Sequence, residues 1–332
     1  RGIANARNQG IAKARGDILI FHDSDMIAPK NFISKHLAAH VDENTVVCGL
    51  FWKRIYTYYY RDFDNERLKH LKTFLPEGEN LKFEDKALIN PHFKKMSYQE
   101  LERFSFELEN DFVLGAKEIL RKYDGSLESY VMPWRFFITN NLSVPRQKVL
   151  DVGMLDDNIV RYGFEDYDLG YRLYKAGCRF MFAEDIASLH QEHTQNRNYL
   201  DALENIDYIC CKYDHIDYID IHLTCLAGCL QLDGNMLDLI VEEIKCFTDH
   251  GRYELLLELY LSLIHVIRRK CLKRQESDSV AQFLRIAEDM PRIVPEAVAL
   301  RQTHEADTFI NHLCLLLRLL YNINLDEILG VL

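Results

Sequence analysis

The sequence predicts an α/β domain followed by an all-helical domain, and two contrasting patterns indicate this. In the first part of the chain, short apolar runs such as DILIF and TVVCGL alternate with helical patterns and stop at polar residues. Such runs are typical of buried strands. From about residue 197, Leu, Ile, Cys and His recur at helical spacing with almost no strand pattern. We therefore predict an α/β domain over residues 1–196 and a helical domain over residues 197–332.

The composition excludes several classes of protein. The 332 residues are 48% hydrophobic, enough for a packed core, and the formal net charge of −11 does not suit a nucleic-acid-binding surface. We find no apolar run long enough to span a bilayer. The nine cysteines include no C-x-x-C pair and fit reduced thiols better than disulfides or a zinc site. We therefore expect a cytoplasmic protein without a nucleic-acid partner or a transmembrane segment.

The chain opens without Met in RGIANARNQGIAKAR, directly in a helical pattern. A domain rarely begins there, so we expect upstream residues in the natural protein. Residues 2–15 predict a helix that stops at Gly16, and residues 17–21 predict a buried strand of a parallel sheet. The segment PKNFISKHLAAH predicts a helix from Pro29, and the β-branched and aromatic residues 45–55 predict a second strand.

The middle of the chain predicts an insertion and then a return to the sheet. Residues 56–125 are rich in Tyr, Phe and charge, and we expect an insertion over the sheet face with a helix in YQELERFSFELE (98–109). Residues 134–153 predict a strand, a turn and a short helix. The segment GFEDYDLGYRLYKAG (163–177) predicts a helix that ends at its last Gly. RFMFAEDIASLHQEH (179–193) predicts a strand with a polar end.

Two carboxylates follow the first predicted strand in FHDSD. Asp23 and Asp25 are two residues apart, and in a strand such neighbours point to the same side. Close carboxylates repel unless a cation lies between them, so a divalent metal is the natural ligand. The alternative interpretation is a polar turn after a buried strand.

Two further segments place polar clusters at the ends of predicted elements. Glu165, Asp166 and Asp168 open a helix, and His190 and His193 follow a strand. Strand ends gather at one edge of an α/β sheet, which is where ligands bind. Taken singly, each cluster favours a structural explanation, because acidic residues suit helix N-termini and a lone histidine is commonly packed or on the surface.

Together and in this order, the segments resemble a family-two glycosyltransferase with the GT-A fold. RGIANARNQGIAKARGDILIFHDSDM is similar to the middle of the nucleotide-binding half. NNLSVPRQKVLDVGMLDDNIVRYGFEDYDLGYRLYKAG is similar to the acceptor half, as in chondroitin-polymerase-type enzymes and the galactosyltransferase C-terminal module. The resemblance covers roughly residues 1–193. Family members carry a first strand and a uracil-binding acidic residue upstream of the ARN helix, so we expect the N-terminal strands to be missing here.

The resemblance implies a metal-dependent inverting glycosyltransferase, a hexosyl- or N-acetylhexosaminyltransferase. The sugar would move from a nucleotide-sugar, usually a UDP-sugar, to a glycan or peptide acceptor. Mn²⁺ or Mg²⁺ would neutralise charge on the diphosphate leaving group, and a histidine ligand favours Mn²⁺. Asp25 would bind the metal directly, Asp23 would contact the metal or the ribose, and His190 would complete the site. His193 takes that place if the loop register differs.

The resemblance also implies roles beside the metal. Asp166 would be the catalytic base that takes the proton of the acceptor, and Glu165 would bind the acceptor sugar. Arg7 of the ARN motif and Ser24 of the DSD motif would contact the nucleotide. Asp168 is better explained as a helix-terminus residue.

An acceptor-side loop is implied at Trp134 and at the pair Asn140 and Asn141, of which we select Asn141. An aromatic ring suits the apolar face of a sugar, although a tryptophan in the core is an equally good interpretation.

Two other functions are compatible with parts of the sequence. One is a non-catalytic GT-A-like scaffold that binds a partner through the helical tail, but a scaffold has no need to keep carboxylates in costly proximity. The other is a metal-dependent hydrolase or nucleotidyltransferase on a related sheet. The Leu-rich segments LCLLLRLL and LLLELYLSLI could bury a homodimer face.

Overall fold

The computed structural model describes residues 2–50, 53–73, 86–87, 96–107, 111–123, 127–194, 199–248, 253–272 and 279–325. It divides into two compact units, Arg1–Asp201 and Ala202–Leu332. The first unit mixes strands and helices, and the second is helical. The predicted fold class, an α/β part followed by a helical part, is confirmed.

Two four-stranded sheets and a two-stranded ribbon make up the described strands of the first unit. The first sheet has the spatial order β1 (Ile18–His22), β8 (Asn141–Pro145), β3 (Thr45–Leu50), β9 (Arg179–Ala187). The second has the order β2 (Met26–Ile27), β10 (Leu189–Gln191), β4 (Lys53–Ile55), β7 (Ser105–Glu107). The ribbon pairs β5 (Tyr58–Tyr59) with β6 (Lys86–Ala87).

The helices of the first unit are α1 (Ile3–Lys13), α2 (Phe32–Ala39), α3 (Asn65–Lys72), α4 (Tyr98–Glu102), α5 (Asp111–Lys122), α6 (Arg146–Asp151) and α7 (Glu165–Lys175), with a short 3-10 helix at Pro133–Phe136. Helix α8 (Tyr199–Lys212) crosses the unit boundary. The helices that follow are α9 (Ile219–Leu226), α10 (Gly234–Thr248), α11 (Glu254–Cys271), α12 (Ser279–Thr303) and α13 (Asp307–Tyr321), and a 3-10 helix at Ile216–Tyr218 precedes α9.

The direction of the first strand differs from the prediction. Strand β1 pairs antiparallel with β8, from Ile18 opposite Pro145 to His22 opposite Asn141. In the first sheet, only the pairing of β3 with β9 is parallel among the described residues. The parallel prediction was therefore wrong, because a five-residue apolar run indicates burial and not strand direction.

Two predicted elements are each divided in the structure. The segment 45–55 forms β3 and β4, which lie in different sheets. The predicted helix 98–109 is helical only over α4 and then becomes β7, which pairs with β4; its last two residues lie outside the described ranges. A capping box between Ser97 and Glu100 starts α4. The helical pattern does not continue through Ser105–Glu107 because pairing with β4 holds this segment in an extended conformation.

A buried polar network lies where α2 packs on the first sheet. The apolar part of this contact consists of Phe32, Val47, Ala183 and Ile186. Beside it, the His36 ring contacts Ser143 Oγ at 2.9 Å and Asn141 Oδ1 at 3.1 Å. Burial lowers the pKa of His36 to about 4. The Asn141 amide also donates to the Ile186 carbonyl, so the network joins α2, β8 and β9.

Helix α7 has well-defined ends. It begins after Gly163 and Phe164, both with left-handed backbone at φ values of 104° and 69°. Its last residue is Lys175, and Gly177 terminates it, as predicted: Gly177 N–H donates to the Tyr174 carbonyl, and Cys178 N–H donates to the Leu173 carbonyl. This is a Schellman motif, which requires the left-handed conformation that glycine adopts most easily.

The helices of the second unit satisfy each other's free backbone amides. Glu243 of α10 accepts from the amides of Thr308 and Phe309 at the start of α13, at 3.1 and 2.6 Å. Glu296 of α12 accepts from the Leu256 amide at 3.3 Å. Such contacts fix helix ends that lack a capping residue of their own. None of the helices in the described ranges is long and apolar enough to cross a membrane.

We expect Gly170→Ala to destabilise the first unit. A Cβ there would lie 2.5 Å from Phe137 Cβ and 2.8 Å from its Cγ, inside the core beneath α7. Overpacking of this kind costs about 1–3 kcal/mol in the free energy of unfolding. The matched control is Gly115→Ala in α5, where no atom lies within 4 Å and where alanine stabilises a helix by about 0.5–1 kcal/mol. Urea unfolding checks both, and a Gly170→Ala protein as stable as wild type would contradict the packing.

Candidate functional site

The polar ends of several elements converge on one cavity of about 700 Å³ in the first unit. Its volume is typical of a small-molecule site. Its lining combines charged and aromatic side chains. The charged side chains are Arg7, Asp23, Asp25, Arg54, Glu165, Asp166, His190 and His193. The aromatic ones are Phe112, Tyr162, Phe164 and Tyr167.

The two carboxylates after β1 lie in a turn. Met26 N–H donates to the Asp23 carbonyl at 3.1 Å, so residues 23–26 turn the chain from β1 into β2. The strand geometry predicted for Asp23 and Asp25 was therefore wrong, although both side chains line the cavity. Their partners differ: Asp23 pairs with Arg7, and Asp25 contacts two histidines.

Asp25, His190 and His193 form a group that could hold a metal ion. One ligand atom from each lies within 4.8 Å of the others. Asp25 Oδ2 lies 2.8 Å from His193 Nε2 and 3.5 Å from His190 Nε2. The other oxygen, Asp25 Oδ1, is buried and has no hydrogen-bond partner in the described structure. His193 stands in this group where we predicted Asp23.

The hydrogen bonds of His193 suit a metal ligand. Its Nδ1 lies 2.7 Å from the Thr194 carbonyl oxygen, which only accepts, so Nδ1 carries the proton. In the neutral ring, the lone pair of Nε2 then faces the Asp25 carboxylate, which is also an acceptor. A cation satisfies both groups. One carboxylate and two imidazoles are a donor set that suits a divalent transition metal.

Strand pairing places His190 beside a buried ion-pair cluster. In the second sheet, β10 sets His190 opposite Met26 of β2 and Arg54 of β4. Arg54 pairs with the buried carboxylate of Glu192, which also contacts His190 Nδ1 at 3.2 Å. Burial acts to raise the pKa of Glu192, but the hydrogen bond with His190 and the charge of Arg54 outweigh it and lower the pKa to about 2. Glu192 is therefore an ionised acceptor.

Arg7 connects the turn after β1 to the start of α7. One of its nitrogens donates to Glu165 Oε1 at 2.7 Å and another to Asp23 Oδ1 at 3.4 Å. Glu165 is buried, and its Oε2 accepts from the Gly163 amide at 2.9 Å. Both oxygens of Glu165 therefore have protein partners, and this side chain holds Arg7 in place.

Asn8, next to Arg7 in the ARN motif, holds the loop before α7. Its amide nitrogen donates to the Leu155 carbonyl at 2.8 Å, and its oxygen accepts from the Leu155 amide at 3.0 Å. Sequence reasoning missed this role, although the motif itself pointed to the position.

Asp166 is half-buried in the first turn of α7 and lines the cavity. Burial and the neighbouring Glu165 raise the pKa of Asp166 to about 7, against the opposing charge of Arg7. A carboxyl group with a pKa near the working pH is well suited to act as a general base.

Asp168 does not line the cavity and forms a structural ion pair with Arg172. It is fully buried and pairs with Arg172 at 2.7 Å, and Arg172 also donates to the carbonyls of Val152 and Met154. The pair ties α7 to the segment that follows α6.

Three predicted site residues lie outside the cavity lining. Trp134 is fully buried and packs edge-on against Tyr167 and Tyr171, with ring centroids 5.8 and 5.1 Å apart, so it cannot contact an acceptor here. Asn141 belongs to the buried network of α2, and its neighbour Asn140 lines the cavity. Ser24 is exposed in the turn and does not line the cavity.

The sequence reasoning also missed Arg54 and Tyr162, which line the cavity, and Glu192. Glu192 was visible between the two histidines of LHQEH. Arg54 had no distinguishing pattern, because only the pairing of β4 with β10 brings it to His190.

Comparison with known proteins gives the class of this one. The family model Glycosyl transferase family 2 matches residues 1–101. The chain is 46% identical over 272 residues to the uncharacterized glycosyltransferase YfnE of Bacillus subtilis (strain 168), a match that covers 81% of this chain and 68% of that protein. The chain therefore belongs to glycosyltransferase family 2 and is a transferase enzyme, which confirms the predicted family.

More distant relatives carry more specific names. The chain is 26% identical over 215 residues to the validoxylamine A glucosyltransferase of Streptomyces hygroscopicus subsp. jinggangensis (strain 5008), covering 64% of this chain and 44% of that protein. It is 24% identical over 237 residues to the chondroitin synthase of Pasteurella multocida (strain Pm70), covering 65% of this chain and 22% of that protein. The chain thus spans less than half the length of either relative.

The raised pKa of Asp166 predicts a pH-dependent effect of Asp166→Asn on stability. The folded protein keeps this carboxyl protonated up to about pH 7, whereas the unfolded chain releases the proton near the ordinary aspartate pKa of 3.8. Between these values the wild type loses up to about 1.4 kcal/mol of stability per pH unit at this site. We therefore expect Asp166→Asn to gain stability relative to wild type as pH rises from 4 to 7, with no further gain above.

Urea unfolding of wild type and Asp166→Asn at pH 5 and pH 7.5 measures this difference. Asp151→Asn, on the exposed end of α6, is the control and should show no such trend. An equal effect of Asp166→Asn at both pH values would contradict the raised pKa.

Proposed function

We propose that this family-2 glycosyltransferase moves a sugar, with inversion, from a UDP-sugar to a glycan or peptide acceptor, and that it needs a divalent cation. One observation carries the proposal: a candidate cation site and a carboxyl group of raised pKa line the same cavity. The names of the relatives, a glucosyltransferase and a chondroitin synthase, support sugar transfer.

The donor binds on the side of the histidines. Asp25, His190 and His193 would hold the cation, and Mn²⁺ suits the two imidazoles better than Mg²⁺. Bound there, the cation supplies neutralising charge for the diphosphate leaving group. Arg7 and Arg54 add positive charge to the same lining, and Asp23, which also lines it, would accept from a ribose hydroxyl.

Asp166 acts as the base. As the acceptor hydroxyl attacks the anomeric carbon, its proton passes to the Asp166 carboxylate. The bond from the anomeric carbon to the diphosphate oxygen breaks, and UDP leaves with that electron pair. Glu165 acts indirectly, because its charge raises the pKa of Asp166 and its oxygens hold Arg7.

The acceptor binds against the aromatic lining. Phe112 and Tyr162 are 41% and 51% exposed, and both face the cavity that Trp134 does not reach. An aromatic side chain fits the apolar face of a sugar ring. These two residues therefore take the role that we first gave to Trp134.

The remaining sequence expectations stay proposals. Residues 1–196 would be the catalytic domain and residues 197–332 a helical domain that can form a homodimer, in a cytoplasmic enzyme. Of the alternatives, family membership disfavours a non-catalytic scaffold, and the hydrolase has no observation of its own in its favour.

Cation binding tests the first step. We expect wild type to bind Mn²⁺ and to bind UDP more tightly when Mn²⁺ is present, as measured by titration calorimetry. His193→Asn should weaken Mn²⁺ binding at least about tenfold, because a ligand nitrogen is lost. The matched control is His304→Asn on the surface of the second unit, which should bind as wild type does. An affinity for UDP that is the same with and without Mn²⁺ would contradict the assignment of a metal site.

Turnover tests the second step. Wild type should release UDP from a member of a UDP-sugar panel when oligosaccharide or peptide acceptors are added. Asp166→Asn should lower this rate by about 10²–10⁴-fold and still bind UDP with Mn²⁺. Near-normal turnover of Asp166→Asn would show that another group is the base.

A further inference from the structure

The carboxylate of Glu192 lies outside the candidate metal group and yet reaches one of its members. Glu192 is 4% exposed and does not line the cavity. Its Oε1 lies 3.2 Å from His190 Nδ1. The opposite nitrogen of the same ring, Nε2, lies 3.5 Å from Asp25 Oδ2. The imidazole of His190 therefore bridges a buried carboxylate and the cation site.

Two arginines fix the position of Glu192. Arg54 donates to Oε1, and Arg67 Nε donates to Oε2 at 3.1 Å. Arg67 in turn pairs with Asp64, its N-cap neighbour in α3. The carboxylate is thus held from both sides by donors on β4 and α3, and its orientation toward His190 is defined.

This arrangement decides which ring nitrogen of His190 carries a proton. Nε2 can bind a cation only through its lone pair, so the proton of the neutral ring must be on Nδ1. Of the two described groups within reach of Nδ1, Arg54 can only donate, at 3.4 Å, whereas Glu192 accepts. On the other side of the ring, Nε2 faces Asp25 Oδ2 at the longer distance of 3.5 Å. Once a cation binds Asp25, that oxygen no longer competes for the proton, and the carboxylate of Glu192 selects the tautomer that a metal ligand needs.

We propose that Glu192 is the positioning residue of the cation site: it fixes the Nδ1–H tautomer and the ring orientation of His190, so that Nε2 faces the cation. This inference rests on the cation dependence proposed above. A purely structural role, as a buried ion pair with Arg54 and Arg67, would leave the tautomer of His190 unaffected by changes at position 192.

The wild type alone provides the first test. Nitrogen NMR of the imidazoles, at a pH where they are neutral, distinguishes the two tautomers, and the resonances of His190 are identified by their loss in His190→Gln. His222 and His312 are internal standards for Nε2–H, because their Nε2 atoms face backbone carbonyls at 2.9 Å. His193 is the standard for Nδ1–H. We expect His190 to match His193, and a match with His222 would overturn the inference.

Variants provide the second test. Glu192→Gln removes the charge, and Glu192→Asp keeps it but withdraws the carboxylate by one methylene. We expect both to bind Co²⁺ about 10–100-fold more weakly than wild type, and the resonances of His190 to move toward Nε2–H while those of His193 stay. Glu102→Gln is the matched control, since Glu102 pairs with Lys53 of the same strand β4 as Arg54 and lies outside the cavity.

The outcomes separate the two proposals. If wild type binds Co²⁺ and both Glu192 variants bind it with the same affinity, the role of Glu192 is overturned and the cation site remains supported. Absence of Co²⁺ and Mn²⁺ binding by wild type would overturn the cation site and the inference with it. Weaker binding together with a changed His190 tautomer would support both.

Discussion

Repulsion between acidic side chains is the constraint that the site must satisfy. Asp23, Asp25, Glu165 and Asp166 line one cavity, and four negative charges at close range are costly in a partly buried place. Arg7 bridges two of them and the histidines contact a third, whereas burial and the charge of Glu165 raise the pKa of Asp166 against the opposing charge of Arg7. The cavity therefore has a side with candidate cation ligands and a side with a carboxyl group of raised pKa.

The sequence was sufficient to predict those elements whose structure is determined by local rules. Helix α7 follows from apolar spacing and from a glycine that ends it, and the helical second unit follows from spacing alone. Asp25, His190 and Asp166 line one cavity, but Asp25 lies in a turn and His190 lies within β10 of the second sheet, so they do not meet at one edge of a single sheet. No local rule gave the direction of β1, which depends on the partner β8.

The sequence was insufficient where partners come from distant strands. Arg54 reaches His190 only because β4 and β10 pair in one register, and Trp134 is excluded from the cavity because Gly170 leaves room for the chain around it to pack against α7. In the same way, residues 23–26 form a turn, and His193 lies in the candidate metal group with Asp25 where we had predicted Asp23. Each of these outcomes depends on a distance between segments, which spacing along the chain does not contain.

The loop between α6 and α7 is held at three points. Asn8 fixes Leu155, Ile159 is fully buried, and Glu165 holds the amide of Gly163. Residues 160–162 between the last two points are exposed, and Tyr162 lines the cavity. These three positions therefore combine exposed side chains with loop ends that are fixed on both sides. A short loop with fixed ends can vary in sequence, and so alter the shape of the cavity, while the segments that hold it keep their positions.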